Sequence, residues 1–481
     1  MPNRRLLLRS VGTGAVAALG LLGLAGATRQ SRWARSDLLS EAVVFDGTSR
    51  RLLRRTEMDD LIPGTRVMHT AERADDLVTA TEGFLAQAQL PVLRTPSALP
   101  RDLDTQALLD IHSLTWELPS PVAAWTPAWR YTWPRDTAHV IAALTGRGQW
   151  PWALALLETL AAQQRPDGRF EARYIPGTNR TPDARPLQLD GCGWFLWAAA
   201  DLLADEPALA GPAAEKPRGR VDAPRELRAA LARSAAALMR ATGRRSLLPP
   251  PSPDYWEVAE RRLTLATGAM AAAGLHAASR LVSAGILTDE DLAGAGSVPV
   301  LTRGSTTSSA PLTAGMLAQR RDGTTAALIA RFRRRGYQRY ALGGGVDAGV
   351  LMLLPPYLPR AVSDANPQVI DAALAAYEKM RRPAGGVAPG AGWKKDGISW
   401  TPQTAMFAQA YAHLGMEKES RTVLRWLAEH RTAAGAIPEK VLSDGTPAAV
   451  APLAWSASLI VATLTQLDAA RRSEPARAAD A

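Results

Sequence analysis

Three segments that lie far apart in the sequence each place acidic residues beside aromatic ones, close to a stretch with helical spacing. They are YTWPRD (131–136), PDYWEVAE (253–260) and GAIPEKVLSDGTPAAVAPLAWSAS (435–458). Carboxyl groups in such positions can donate or accept a proton in acid–base catalysis. A plainer role exists for an Asp at a helix N-terminus, because it accepts hydrogen bonds from unpaired backbone amides. That role would account for Asp136 alone, and it leaves Trp133 and Arg135 unexplained.

The residue counts narrow the kinds of chemistry to consider. The single cysteine, Cys192, excludes an intrachain disulfide and a cysteine-based metal site, and the six histidines include no HExxH pattern. We therefore expect neither a metal nor another cofactor. Fourteen Trp against six Phe is an unusual ratio. Because indole combines a broad apolar face with one N–H donor, it suits stacking on sugar rings as well as filling a core.

The net charge of +10 would suit a polyanionic partner. However, the arginines are scattered, and no long Lys/Arg block occurs in the body of the chain. We therefore predict no nucleic-acid partner. With 481 residues and 47% hydrophobic content, the chain is long and apolar enough for a large core.

The N-terminus resembles a targeting segment. MPNRRLLLRS carries Arg4 and Arg5, an apolar run follows, and Ala25-Gly26-Ala27 matches an A-x-A cleavage site. The arginine pair resembles a twin-arginine export signal. We predict that residues 1–27 are an export signal or a membrane anchor, that any membrane association uses this segment, and that the protein is extracellular or in the cell envelope.

The rest of the chain has mainly helical periodicity. SEAVVFDG and RRLLRR are candidate short strands, and beyond Glu72 apolar residues recur every three or four positions. The helices tend to come in pairs joined by short turns, and long loops such as RYIPGTNRTPDARP and RPAGGVAPGAGWKKDG separate several pairs. This pattern predicts an all-α fold of helical hairpins around a centre, with the long loops forming a site. A solenoid would show a fixed repeat and a coiled coil would show unbroken heptads, and neither is present.

We expect four regions along the chain. Residues 1–27 form the targeting segment, and 28–100 form an N-terminal extension, partly β or irregular, that packs on the helical domain. That domain covers 101–470, and RRSEPARAADA (471–481) is a disordered tail.

Taken together, the motifs resemble glycoside hydrolase family 15, the glucoamylases and their relatives. The chain has W-x-R-D at Trp133–Asp136, W-E at Trp256–Glu257, P-E at Pro438–Glu439 and L-x-W-S at Leu453–Ser456, in the family's order. QLDGCGWFL (188–196) and GGGVDAGVLMLLP (343–355) resemble two further family segments. Each motif alone is weak, whereas the ordered set extends from about Trp116 to Leu467. The resemblance implies an (α/α)6 barrel and an inverting, exo-acting hydrolase of α-glucosides or α-glucans.

The resemblance also implies catalytic roles. Glu257 matches the family's general acid and Glu439 its general base. An inverting pair is separated by about 6.5–9.5 Å to admit a water molecule, against about 5–5.5 Å for a retaining pair. If each glutamate is considered alone, the simpler interpretation of Glu257 is a carboxylate in the first turn of a helix, and that of Glu439 is a surface charge. As members of the ordered set of family motifs, both glutamates are interpreted as catalytic residues.

Further residues are expected to bind the substrate. Arg135 and Asp136 would bind the hydroxyl groups of the sugar, because a guanidinium donates hydrogen bonds and a carboxylate accepts them. Trp133 and Trp455 match residues that wall the family's pocket, and Asp190 in QLDG matches a supporting position. The aromatic neighbours of these motifs, Trp129, Tyr131 and Trp256, complete the set of predicted binding residues.

Three departures from the family keep alternatives open. Trp129 stands where the family often has a Tyr that holds the attacking water, Val258 replaces a second carboxylate, and Lys440 replaces a Gln. The linkage or leaving group therefore need not be that of starch. One alternative is a catalytically weak or inactive carbohydrate-binding envelope protein on the same barrel. Another is a trehalase or a phosphorylase with an (α/α)6 fold.

Overall fold

The structure is a computed structural model that describes residues 33–88, 99–204, 223–300 and 308–479, with side chains as far as residue 472. The predicted targeting segment, 1–27, lies outside the described residues. Within the described ranges, none of the helices combines the length and the apolar character needed to cross a bilayer.

Helices dominate the described part of the chain, in agreement with the predicted fold class. The α-helices are α1 (Ala74–Gln87), α2 (Leu103–Thr115), α3 (Pro134–Gly146), α4 (Trp150–Ala162), α5 (Asp190–Leu203), α6 (Arg225–Ala241), α7 (Leu265–Ser283), α8 (Asp289–Gly294), α9 (Ala314–Arg333), α10 (Arg360–Asp364), α11 (Pro367–Met380), α12 (Thr401–His413), α13 (Glu417–Glu429) and α14 (Ala454–Ala479). Arg55–Asp60 and Ala348–Leu353 form short 3-10 helices.

Six of these described elements close into an inner ring. α3 packs on α5, α5 on α7, α7 on the 3-10 helix 348–353, that helix on α12, α12 on α14, and α14 on α3. An outer layer covers the ring. There α4 lies on α3, α6 on α5 and α7, α9 on α7, α11 on the 3-10 helix, α13 on α12, and α2 on α14. This arrangement is an (α/α)6 barrel, and the prediction of that architecture is confirmed.

The sequence of each inner helix explains its position. All residues of α5, DGCGWFLWAAADLL, are buried, and a helix that is apolar on every side belongs in the interior. A Cβ added at Gly193 would lie 2.2 Å from the carbonyl oxygen of Met270. Because no side chain fits there, this glycine lets the backbones of α5 and α7 approach closely.

A small sheet precedes the helices and is held against the barrel. β1 (Val43–Gly47) pairs antiparallel with β2 (Ser49–Leu52) and parallel with β3 (Val67–Ala71). The strands predicted from SEAVVFDG and RRLLRR are therefore present. The hydroxyl of Ser40 donates to the carbonyl of Ala451 at 2.5 Å, and the backbone N–H of Ala433 donates to the carboxylate of Glu41 at 2.8 Å.

Three shorter pairings also occur in the described ranges. β4 (Ser297–Val300) pairs with β5 (Ser308–Pro311), while β7 (Lys440–Val441) lies between β6 (Ser399–Trp400) and β8 (Pro447–Ala448). At the C-terminal end, α14 continues to Ala479. The disorder expected for residues 471–481 stays a prediction.

Candidate active site

A cavity of about 290 Å³ lies at one end of the barrel, where the loops enter the inner helices. Each lining residue belongs to a loop that precedes α3, α5, α7, α12 or α14, or to the first turn of one of these helices. The lining residues are Ala123, Ala128, Trp129, Trp133, Arg135, Asp136, Arg173, Arg185, Tyr255, Trp256, Glu257, Pro389, Trp393, Trp400, Pro402, Gln403, Glu439, Leu453 and Trp455. The long loops thus form a single site, as the spacing of the helices predicts.

Arg135 links the first motif to the second. It lies in the first turn of α3, which begins at Pro134, where a missing N–H costs no helical hydrogen bond. Its Nη2 is 2.9 Å from Oδ2 of Asp136 and 3.5 Å from Oε1 of Glu257. Its guanidinium lies 4.3 Å from the ring centre of Trp455. Burial raises the pKa of Asp136, although the charge of Arg135 opposes this effect.

Glu257 occupies an unusual backbone conformation. Its φ is +55°, in the left-handed region that non-glycine residues seldom adopt. The turn is closed by the N–H of Glu257, which donates to the carbonyl of Asp254 at 2.7 Å, and by the N–H of Trp256, which donates to Oδ1 of Asp254 at 2.9 Å. Such strain, about 1–3 kcal/mol, persists only where the surroundings determine the conformation.

A buried ion cluster supplies those surroundings. Arg339 contacts Asp254 at 3.0 Å, Glu260 at 2.7 Å and Asp347 at 2.7 Å. The same guanidinium lies 3.7 Å from the ring centre of Trp256. Burial raises the pKa of Asp347 to about 6, although Arg339 acts in the opposite direction. The cluster therefore holds Trp256 and the turn that presents Glu257.

Glu439 is held by a different set of groups. Its N–H donates to the carbonyl of Val450 at 2.8 Å, and its own carbonyl accepts from the N–H of Thr401 at 3.0 Å. The indole of Trp129 donates to Oε1 at 3.3 Å, and Nζ of Lys440 lies 3.2 Å from Oε2. The side chain of Lys440 therefore turns inward, and it also lies 4.4 Å from the ring centre of Trp400.

Two further arginines reach the cavity from the loop before α5. Arg185 forms a close ion pair with Oε2 of Glu257, and its Nε is 3.1 Å from Oδ2 of Asp183. Arg173 contacts the same oxygen of Asp183 at 2.5 Å and lies over the rings of Tyr131 and Trp133. Glu257 thus has a cation on each of its two carboxylate oxygens.

Two of the ten predicted site residues do not line the cavity. Tyr131 packs behind it, edge-on to Trp133. Asp190 is buried at the start of α5, as expected of a supporting residue, and accepts a hydrogen bond from the indole of Trp194 at 3.3 Å. Burial raises the pKa of Asp190 to about 7, with Arg135 opposing the change.

The wall residues that sequence reasoning missed include Arg173, Arg185, Trp393 and Trp400. The first three lie in the two long Gly/Pro-rich loops. The spacing of the helices predicts that these loops form the site, but it does not identify which of their residues line it. Trp400 directly precedes α12, and its neighbouring Pro402 was the available signal of a helix start.

The arrangement has the parts needed for chemistry on a polyhydroxylated ring. Six tryptophans (129, 133, 256, 393, 400 and 455) supply apolar faces, Arg135 with Asp136 supplies paired polar groups, and two carboxylates are available for proton transfer. In the part of the chain that the structure describes, no group of His, Cys, Asp and Glu could hold a metal ion.

Comparison with known proteins identifies the fold. No family model matches the chain and no curated protein matches it. Among solved structures, a wild-type glycosidase matches with a TM-score of 0.57 at 17% identity, over 76% of this chain and 96% of its own. A bacterial glucoamylase complexed with acarbose matches with a TM-score of 0.58 at 16% identity, over 82% of this chain and 58% of its own.

The glycoside hydrolase family 15 glucoamylase from Hypocrea jecorina matches with a TM-score of 0.52 at 11% identity, over 82% of this chain and 72% of its own. At these identities the likeness shows the fold alone. The chain therefore has a glucoamylase-like (α/α)6 fold.

Proposed function

We propose that this protein is an exported, inverting, exo-acting glycoside hydrolase that releases glucose from α-glucosides or α-glucans. The observation that carries the proposal is that Glu257 and Glu439, which are far apart in the sequence, line one cavity together with Arg135, Asp136 and six tryptophans. The similar solved structures are those of a glycosidase and of glucoamylases, which agrees with this class of reaction.

In the proposed reaction, Glu257 donates a proton to the glycosidic oxygen as the bond from that oxygen to the anomeric carbon breaks. Glu439 accepts a proton from a water molecule whose oxygen attacks the same carbon from the opposite face. Arg135 and Asp136 orient the sugar through its hydroxyls. Trp129 keeps one oxygen of Glu439 fixed through its indole N–H. The product is the inverted, β anomer.

The direct test is to incubate the protein with maltose, isomaltose, trehalose and dextran and to measure released glucose. Glu257→Gln and Glu439→Gln should each lower kcat by about 10²- to 10⁴-fold, the usual contribution of a general acid or base. Glu171→Gln is the matched control, because Glu171 pairs with Arg165 and does not line the cavity. Wild-type rates in both catalytic-site variants would overturn the assignment.

The stereochemistry is tested separately. Proton NMR of fresh product should show the β anomer before mutarotation. Initial release of the α anomer would indicate a retaining mechanism and would contradict the assigned roles.

A second function, sugar binding without turnover, is favoured by one observation. Both carboxylates contact cations, Glu257 through Arg135 and Arg185 and Glu439 through Lys440. Calorimetric binding of a glucoside with no hydrolysis of any linkage would support this function over the enzyme. Product formation that requires inorganic phosphate would instead indicate a phosphorylase.

The export proposal has its own test. Arg4-Arg5, the apolar run and Ala25-Gly26-Ala27 support it. Cell fractionation and N-terminal sequencing of the mature protein should find it outside the cytoplasm with a start near residue 28. Recovery of the full-length chain from the cytoplasm would contradict it.

A further inference from the structure

The loop before α5 brings an ion pair to the mouth of the cavity. Of the arginines there, Arg135 is deepest, with 9% of its side chain exposed, whereas Arg185 is 34% exposed. Asp183, which contacts both Arg173 and Arg185, is 36% exposed. In a pocket that holds a terminal sugar, the leaving group lies on the open side. Arg185, beside the proposed acid and nearer solvent, is therefore on the leaving-group side.

Arg185 contacts two carboxylates, those of Glu257 and Asp183. The carboxylate of Asp183 is shared, because Arg173 contacts the same oxygen. A general acid must carry its proton when it acts, and a protonated Glu257 no longer offers Arg185 a charged partner. Asp183 is then the charged carboxylate that Arg173 and Arg185 share.

Among the described residues, the neighbouring groups on the rim do not offer Arg185 a further carboxylate contact. Trp393, on the cavity wall, has the ammonium of Lys394 5.9 Å from its ring centre. Arg339 lies behind Trp256, where its contacts are with three buried carboxylates of its own cluster. In the reactive form, Arg185 therefore shares the single carboxylate of Asp183 with Arg173, at the side where the leaving group would lie.

We propose that the substrate carries an anionic substituent, such as a carboxylate, on its leaving-group side and that Arg185 binds it. This inference rests on the proposed function. The planar guanidinium fork suits carboxylate, sulfate and phosphate groups. When such a group pairs with Arg185, it replaces the contact that the guanidinium makes with Glu257.

Two nearly isosteric glucosides test the proposal: 4-carboxyphenyl and 4-carbamoylphenyl α-glucoside, which differ in charge. Binding is measured by calorimetry in a Glu439→Gln background, which prevents turnover and leaves Arg185 in place. A charge-assisted contact predicts about tenfold tighter binding of the carboxylate. In Glu439→Gln with Arg185→Gln, this preference should disappear.

Arg180→Gln is the matched control, since it removes the same charge from the same loop at an exposed position outside the cavity lining. The preference should persist in that control. Equal affinity for the two glucosides, a preference that survives Arg185→Gln, or one that is lost in Arg180→Gln would each overturn the inference. Hydrolysis by the wild-type protein is measured separately. If it cleaves neither glucoside and none of maltose, isomaltose, trehalose and dextran, the proposed function fails. The binding preference still decides the role of Arg185 in that case.

Discussion

The indole N–H of Trp129 donates a hydrogen bond to Oε1 of Glu439 across 3.3 Å, although 310 positions separate the two residues in the chain. The sequence comparison identifies Trp129 as a departure, because an indole cannot accept a hydrogen bond from the attacking water. In the structure, Trp129 has a different role, because its indole N–H is a hydrogen-bond donor that orients the proposed base.

Trp129→Phe should therefore lower kcat by about tenfold, in line with the loss of one hydrogen bond to a charged group. Trp129→Tyr is the matched comparison, since a phenol can donate to Glu439 in place of the indole. Steady-state kinetics on the best glucoside will measure both variants. Equal activity of the Phe and Tyr variants would show that the donor has no catalytic effect.

Arg135→Lys should lower kcat/KM by about 100-fold, as expected when a positioned donor of an active site is removed. One ammonium cannot contact Asp136 and Glu257 and also stack on Trp455 as the guanidinium does. Arg130→Lys is the control, because Arg130 also stacks on a tryptophan, Trp125, outside the cavity lining. Comparable losses in the two variants would contradict a specific role for Arg135.

Arg339→Met should lower the free energy of unfolding by about 3–5 kcal/mol, because it leaves buried carboxylates without their cation. The urea midpoint, with circular dichroism as the signal, measures this change. Arg321→Met provides the comparison, since Arg321 pairs with the exposed Asp322 and such pairs contribute about 0–1 kcal/mol. A loss no larger than that of the control would mean that the cluster does not stabilise the fold.

Asp190→Asn should change how stability depends on pH. The folded pKa of Asp190, about 7 because of burial, lies above its unfolded value, so the folded protein binds more protons between about pH 4 and 7. Wild-type stability therefore falls through this window as pH rises, by at most about 1.4 kcal/mol per pH unit from this group. Asp190→Asn has no titrating carboxyl at this position, so its unfolding free energy should lack this decrease with pH.

Urea unfolding of both proteins at pH 4.5, 6 and 7.5 measures the Asp190 effect. The difference in unfolding free energy, variant minus wild type, should increase with pH and level off above about pH 7. A constant difference across the window would contradict the raised pKa.

The sequence alone predicts much of the fold, because helical periodicity is a local property. It identifies the Trp133–Asp136 segment and both glutamates through short motifs, and it places the site in the long loops. It cannot show that Arg185 meets Glu257 or that Trp129 meets Glu439, since these contacts depend on how distant loops fold over one another. Tyr131 illustrates the converse, because its adjacency to a motif does not bring its side chain to the cavity wall.

The two proposed catalytic carboxylates are anchored by different parts of the molecule. Glu257 depends on the interior cluster of Arg339, whereas the loop of Glu439 is tied to the N-terminal segment, through Ser40 to Ala451 and through the bridge between Leu38 and Ala449. Loss of residues 33–41 would therefore remove two ties of the loop that carries Glu439 and none of the contacts of the Arg339 cluster. We expect a chain shortened in this way to keep the turn of Glu257 and to lose part of the support of the proposed base.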